Sequence, residues 1–153
     1  MVHEMRRSDR QLDLTATKQL LINGEYGILS TVGEDNIPYG VPLSYAYDED
    51  RIYFHCAKDV GHKYENIRHN AKVCFTVIGK TQVLPEQFST SYESAVVFGT
   101  VKPATDKRKG LLLLVEKYSP AFKEKGHSYI EQDIDTVGVY EINIEHMTGK
   151  GRK

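Results

Sequence analysis

The feature that most constrains the fold is a succession of strand-like segments joined by short, turn-rich connections. Residues 26–32 are apolar and rich in β-forming residue types, and the turn cluster Gly33-Glu34-Asp35-Asn36 follows them directly. Another alternating segment begins at Ile37. Because parallel strands need a crossover of about a dozen residues or more, connections this short favour antiparallel pairing. The sequence therefore predicts a mainly β fold, an antiparallel barrel or strongly curled sheet with helices added, and not a doubly wound parallel sheet.

The patterns indicate about six strands in all, with three or four helices. After the first strand, the other strands are predicted over residues 37–47, 51–56, 72–78, 92–101 and 140–145. Residues 79–88, between two of these strands, are predicted to form a loop.

Helices are expected after two threonine caps, at Thr15 and Thr105. A short helix is predicted over residues 62–68, and partly helical structure over 118–135. The helix after Thr105 carries apolar side chains at helical spacing: Leu111, Leu114, Val115 and Tyr118. This spacing predicts that the stripe packs in the core.

Length and charge exclude several classes of protein. The 153 residues fit a single domain, with residues 1–11 as a polar N-terminal arm. The net charge of −1 provides no general field for nucleic acid or an anionic membrane. The longest apolar run, residues 111–115, is too short to cross a bilayer, so a cytoplasmic protein is expected. Cys56 and Cys74 make no disulfide framework and are expected to pack as small hydrophobic residues.

Residues 37–47 alternate regularly between bulky and small side chains. The odd positions hold Tyr39, Val41, Leu43, Tyr45 and Tyr47, and the even positions hold Pro38, Gly40, Pro42, Ser44 and Ala46. A strand face this bare either has another element packed closely on it or leaves room for a flat ligand. The two prolines remove hydrogen-bond donors from the ladder, which predicts a strand at an edge or at an irregular, functional part of the sheet. An edge strand shaped by packing alone explains the pattern equally well.

Residues 54–63 combine a strand end, a loop with Gly61, and a helix start that bears His62 and Lys63. Free backbone N–H groups and the positive end of a helix dipole attract anions, and the two basic side chains would complete a phosphate site. Neither a Walker loop nor a dinucleotide glycine fingerprint is present. From these residues alone, an ordinary solvated helix start is the alternative.

The same region concentrates potential metal ligands: His55, Cys56, His62, His69 and Cys74. Structural zinc sites usually pair ligands about two to four residues apart, and the chain contains neither C-x-x-C nor H-x-x-x-H. No metal site is therefore expected. A nucleophilic triad is not indicated either, because Cys56 points to the strand face opposite His55.

Several of these segments also occur, in this order and at similar separations, in a known family. They are Met5-Arg6-Arg7, Asp9-Arg10, Pro38-Tyr39-Gly40-Val41-Pro42-Leu43-Ser44-Tyr45, Ile52-Tyr53-Phe54-His55, Gly61-His62-Lys63, Val97-Phe98-Gly99 and Ile144-Glu145-His146-Met147-Thr148-Gly149-Lys150. Over nearly the whole chain the sequence resembles the 5-nitroimidazole-resistance (Nim) proteins, within the pyridoxamine 5′-phosphate oxidase-like FMN-binding split barrels. Several ordered motifs together are far more specific than any one of them.

The resemblance implies a homodimer that holds FMN in two equivalent clefts at the subunit interface. Residues 39–44 would lie against the isoalloxazine ring, and the side chains of residues 55, 62 and 63 would meet the phosphate, with residue 66 in support. The cofactor-binding set implied in this way is Tyr39, Gly40, Val41, Pro42, Leu43, Ser44, His55, Cys56, His62, Lys63 and Asn66. The partner would cover the ring with residues 92–98 or with the tail near Lys150.

The activity implied by the resemblance is that of an FMN-dependent oxidoreductase. It would take electrons from a small-molecule donor and reduce a small planar acceptor, such as a nitroimidazole or another nitroaromatic compound. No catalytic residue is assigned, although Tyr39, His62 or a tyrosine of the partner could donate a proton. The alternatives are a non-enzymatic flavin- or haem-binding protein of the same fold, or a barrel that has lost its cofactor.

Overall fold

A computed structural model describes residues 2–153, so Met1 of the predicted arm lies outside the described residues. The strands are β1 (Gln11–Leu12), β2 (Gly27–Val32), β3 (Pro38–Leu43), β4 (Ala46–Asp48), β5 (Arg51–Ala57), β6 (Lys72–Leu84), β7 (Ser89–Pro103) and β8 (Val137–Arg152). The helices are α1 (Leu14–Asn23), α2 (His62–His69), α3 (Lys107–Tyr118) and α4 (Lys123–Asp133). Short 3-10 helices cover Ser8–Arg10, Pro85–Gln87 and Pro120–Phe122.

The strands form one antiparallel sheet in the order β3-β2-β6-β7-β8-β5-β4, and β1 pairs with β8. The outermost strands of this order, β3 and β4, are joined in the chain by Ser44 and Tyr45 alone. Because so short a link reaches at most about 11 Å, the sheet must curl until its edges are close. The predicted antiparallel split barrel is confirmed, with more strands than expected. The edge position predicted for β3 is confirmed as well.

The core fills the inside of the curled sheet. Its fully buried members include Leu21, Leu29, Phe54, Phe75, Val97 and Ile142. A smaller cluster of Leu111, Ile130 and Val139 joins α3 and α4 to β8. Among residues 2–153 no helix has the length and apolar character that a membrane span requires.

Three strand predictions need correction. The strand expected over residues 37–47 divides at Ser44 and Tyr45, where the chain passes from one edge of the sheet to the other. The loop predicted over 79–88 shortens to residues 85–88, because β6 and β7 continue to pair as far as Leu84 and Ser89 after an irregularity between Ile78 and Thr81. The last strand extends in both directions, since β5 pairs with its beginning and β1 with its end.

Both predicted helix caps are wrong. Asp13, rather than Thr15, caps α1 with its carboxylate, and Asp106, rather than Thr105, caps α3. The N–H and the hydroxyl of Thr105 instead donate to the Glu141 carboxylate, at 2.9 and 3.0 Å. A contact between residues this far apart in the chain leaves no local signal in the sequence.

Tyr45, in the link between β3 and β4, is fully buried and has a partner for each of its polar groups. Its N–H donates to the Tyr118 hydroxyl at 3.1 Å, and its carbonyl accepts from the Lys117 ammonium at 3.0 Å. Its own hydroxyl donates to the Leu21 carbonyl at 2.5 Å, and burial raises the pKa of this phenol. The ring packs edge-on against Phe75, with centroids 5.0 Å apart. Helices α1 and α3 therefore both hold the link.

Glu141 in β8 is a carboxylate with a side chain only 1% exposed. Its Oε2 lies 2.9 Å from Nε of Arg51, an ion pair whose angles fall outside those of a hydrogen bond. Burial alone would raise the pKa of Glu141, but the hydrogen bonds from Thr105 and the nearby Arg51 outweigh burial and lower it. The ionised carboxylate therefore stabilises the connection between β7 and α3.

We expect Glu141→Ala to lower the free energy of unfolding by about 2 kcal/mol at pH 7, because it removes two hydrogen bonds from Thr105 to a charged carboxylate. Urea denaturation measures this change. Since the folded-state pKa lies below the unfolded value, the stabilisation is complete above the unfolded pKa and is lost as the pH falls through the folded pKa. The difference between wild type and variant should thus shrink below about pH 4.

Glu145→Ala is the matched control, since this glutamate lies on the same strand and pairs with Lys72 in solvent. Exposed ion pairs contribute at most about 1 kcal/mol, so the control should change stability little. An equal loss in both variants, or a Glu141 effect that does not vary with pH, would contradict this account.

Candidate functional site

The exposed face of β3 is the first part of the site. Val41 and Leu43 pack against the core, whereas Gly40, Pro42 and Ser44 are exposed. A Cβ added at Gly40 would make ordinary contacts with side chains of β2, at 3.4 and 3.8 Å. Packing inside the chain therefore does not require a glycine here. The strip leaves room for something outside the chain.

The start of α2 lies against the first residues of β3. His62 stacks on Tyr39, with ring centroids 3.9 Å apart and ring planes at 28°. The preceding Gly61 has a φ of 106°, a conformation that favours glycine, and a Cβ there would meet nothing within 4 Å. The predicted short helix is confirmed, and its first turn has no side-chain cap.

The charge of Lys63, the next residue of α2, acts on two side chains at the end of β5, His55 and Cys56. Burial lowers the pKa of His55, and the charge of Lys63 lowers it further. Burial raises the pKa of the Cys56 thiol, and Lys63 partly opposes that shift while Asp59 adds to it. Lys63 takes part in none of the ion pairs found among residues 2–153. Its ammonium is a positive charge without a carboxylate partner.

Asn66 is turned towards β2. It is 5% exposed, and its amide donates to the Thr31 hydroxyl at 3.0 Å. A Cβ at Gly33 would collide with the same amide, so helix and strand approach closely here. The Asn66 amide therefore fixes α2 against β2, and so positions His62 and Lys63 in the first turn of the helix.

The structure brings five of the eleven predicted site residues together in two small groups joined by α2. His55, Cys56 and Lys63 form one group, and Tyr39 and His62 form the other. Within residues 2–153, no group of three or more His, Cys, Asp or Glu side chains is arranged to hold a metal ion.

The sheet face turned away from the core is a second surface, which the sequence analysis missed. Strand register sets two rows of side chains across it: Pro42, Ile28, Thr76, Val96 and Thr148, and beside them Gly40, Ser30, Cys74, Phe98 and His146. Neither row contains Asp, Glu, Lys or Arg, although 27% of the chain is charged. We call these two rows the outer sheet face. Its largest side chain, Phe98, is 46% exposed.

A cleft of about 450 Å³ is the third feature, and it lies between the α3–α4 pair and the sheet. The stripe predicted as core is only partly core, because Leu111 and Leu114 are buried but also line this cleft. Tyr118, at the end of the stripe, is 40% exposed, and its hydroxyl donates to the Glu25 carbonyl at 2.5 Å. Helical spacing alone cannot distinguish a core stripe from one that faces a cleft.

Together these features define a small split-barrel protein whose candidate site lies where β3, β5 and α2 meet. The sequence profile of the pyridoxamine 5′-phosphate oxidase family matches residues 13–151. The chain belongs to this family. No curated protein matches the chain.

Solved structures of similar fold include a candidate 5-nitroimidazole antibiotic resistance protein from Bacteroides thetaiotaomicron. The two are 22% identical with a TM-score of 0.72, over 97% of this chain and 95% of the other. A FAD-binding protein from Mesorhizobium loti is 23% identical with a TM-score of 0.66, over 94% and 98%. A FAD and haem binding protein from Mycobacterium smegmatis is 18% identical with a TM-score of 0.78, over 94% and 74%. At these identities the likeness is one of fold, and it confirms the resemblance found in the sequence.

Proposed function

We propose that this protein is a cytoplasmic, homodimeric flavoprotein that binds FMN and reduces a small planar acceptor, such as a nitroimidazole or another nitroaromatic compound. One observation carries the proposal. In a member of the pyridoxamine 5′-phosphate oxidase family, the charge of the unpaired Lys63 of α2 acts on His55 near the end of β5, and His55 lines a cleft together with Ser44 of the exposed strip of β3.

The residues present fit the parts of FMN. For the phosphate, Lys63 offers a charge that no carboxylate among residues 2–153 neutralises, and the first turn of α2 offers backbone N–H groups. For the ring, β3 offers small side chains over residues 40–44. Since β3 is an edge strand, the backbone groups on its free side can hydrogen-bond the polar rim of the ring.

In this proposal each group of the site has a separate task. The flavin, when bound, supplies the transfer of electrons. Lys63 and His55 hold the phosphate, and the backbone of residues 39–44 orients the ring. Tyr39, stacked on His62, closes the end of the strip, and its hydroxyl or the imidazole can hold a proton for the acceptor.

A non-enzymatic flavin or haem carrier is the second candidate. It is favoured by the name of one solved structure of this fold, a FAD and haem binding protein. Haem needs an axial ligand, and His69 and His146 are partly accessible histidines outside the flavin strip.

The absorption spectrum of the purified protein tests the proposal against this alternative. We expect a flavin band at about 450 nm that bleaches under anaerobic NADH or NADPH and returns with a nitroaromatic acceptor. Chromatography of the released cofactor distinguishes FMN from FAD. A Soret band would support the haem carrier, and a flavin that no donor reduces would support the flavin carrier. A colourless protein that does not take up FMN would rule out both flavin proposals.

Lys63→Ala should weaken FMN binding by about 10- to 100-fold, because a hydrogen bond to a charged group contributes about 1.5–3 kcal/mol. Fluorescence titration of the apoprotein with FMN measures the loss. Lys58→Ala is the matched control, because Lys58 lies in the loop that leads into α2 but donates to the Asp135 carbonyl at 3.4 Å. Equal affinities for Lys63→Ala and wild type would remove Lys63 from the phosphate site.

The outer sheet face supports the homodimer in this proposal. Five strands present the uncharged rows, and the rows run directly into the exposed strip of β3 through Gly40 and Pro42. An uncharged face with a central aromatic residue is typical of subunit interfaces. A second copy seated there by two-fold symmetry would bring its own residues to the edge of the flavin strip.

Phe98→Glu should convert the dimer into a monomer at micromolar concentration, because two-fold symmetry places the new charge in the interface twice. Light scattering coupled to gel filtration measures the mass, and flavin content should fall in parallel. Phe122→Glu is the control, since Phe122 is 64% exposed on the 3-10 helix between α3 and α4. A Phe98→Glu variant that stays dimeric would show that the copies associate elsewhere.

A further inference from the structure

The cleft of about 450 Å³ between the α3–α4 pair and the sheet has the size of a small-molecule site. Its floor and walls are mostly apolar, with Leu111, Leu114, Val115, Ile130 and Val137 among them. Tyr118 and Tyr129 add aromatic rings. An apolar, aromatic lining of this kind favours a ligand with a flat hydrocarbon body.

The helices that form the cleft are fixed in place without a ligand. Gly126 of α4 touches Val115 of α3 so closely that a Cβ there would collide. Arg108 and Glu131 form an ion pair between the same two helices. The Tyr118 hydroxyl, at the end of α3, donates a hydrogen bond to the Glu25 carbonyl and accepts one from the N–H of Tyr45, in the link between β3 and β4. The cleft is therefore preformed, which reduces the cost of binding.

The charge of the lining restricts the ligand further. Asp133 lines the cleft, and among the residues described none of the lining side chains is Lys or Arg. His55, on the sheet side, is neutral near pH 7 because burial and Lys63 lower its pKa. Lys125 does not line the cleft. It lines an adjoining groove, which shares Val115 and Tyr129 with the cleft. A phosphate in the cleft would face a carboxylate without a cation to pair with.

We propose that this cleft binds one small aromatic molecule without negative charge per chain and excludes phosphate esters, including the pyridoxamine 5′-phosphate after which the family is named. The binding itself does not depend on a flavin. Ser44 and His55 both line the cleft, and in the proposed function Ser44 lies at the end of the strip under the ring and His55 beside the phosphate. A molecule in the cleft would therefore lie beside the ring as the acceptor, and this last step rests on the proposed function.

A matched pair of ligands tests the proposal: 1-naphthol, which is uncharged at neutral pH, and 1-naphthyl phosphate, which carries the same ring. Calorimetric titration of the purified protein with its bound cofactor should give one 1-naphthol site per chain. The phosphate ester should bind at least about 10-fold more weakly, the effect of 1.4 kcal/mol of unfavourable charge. No 1-naphthol binding up to about 1 mM, or equal affinity for both ligands, would overturn the proposal.

Two pairs of variants locate the site. Ser119→Trp should abolish 1-naphthol binding by filling the cleft, whereas Glu116→Trp, on an exposed part of the same helix, should not. Asp133→Lys should shift the ratio of the two affinities toward 1-naphthyl phosphate by at least about 5-fold, and Asp135→Lys, outside the cleft, should leave that ratio unchanged. Circular dichroism checks that each variant folds. Binding that none of the cleft variants alters would refute the assignment.

The outcome is separable from that of the flavin proposal. A colourless protein that binds 1-naphthol with these variant effects would support the cleft proposal and contradict the flavin proposal. A yellow protein that does not bind 1-naphthol would support the flavin proposal and contradict the cleft proposal. Competition between FMN and 1-naphthol would show that the cleft belongs to the cofactor site, and would overturn the proposal.

Discussion

The short link between β3 and β4 is the constraint on which the rest of the structure depends. Ser44 and Tyr45 join the two ends of the sheet, so the sheet cannot stay flat. A buried link would cost about 1–3 kcal/mol for each polar group left unpaired. Tyr45 avoids this cost because Tyr118 and Lys117 of α3 bind its backbone and a carbonyl of α1 binds its hydroxyl. Two helices thus hold the split edges of the barrel together.

The same link determines how the functional surfaces lie relative to one another. Ser44 ends the exposed strip of β3 and also lines the cleft under α3 and α4. His55 on β5 also lines the cleft, and the charge of Lys63 in the proposed phosphate site acts on it. Because α3 is fastened to the link by Tyr118, the cleft is held beside the strip. In the proposed function, cofactor and acceptor would meet across residues that the barrel closure already fixes.

Local patterns in the sequence predicted the parts of the fold that local chemistry decides. The prolines and glycine of residues 38–42 were enough to predict a strand at an edge or at an irregular part of the sheet, and the loop ending at Gly61 was enough to predict α2. The cap at Thr105 failed because Glu141, on another strand, holds Thr105, and the cap at Thr15 failed because Asp13 caps α1 two residues earlier. The cleft could not be predicted, since the spacing of Leu111 and Leu114 is the same whether a helix faces a core or a cavity. Sequence periodicity reports that a face is apolar but not what covers it.

The distribution of charge around the link separates two kinds of ligand. The family is named for a phosphate ester, and Lys63 with His55 forms one corner suited to a phosphate. In the proposed function the phosphate of FMN occupies that corner. A second phosphate, carried by a substrate into the cleft, would meet Asp133 and no cation of the lining described. Because a negative charge without a cation to pair with costs more than apolar contacts return, in this proposal both sites are filled at once only if the second ligand carries no negative charge.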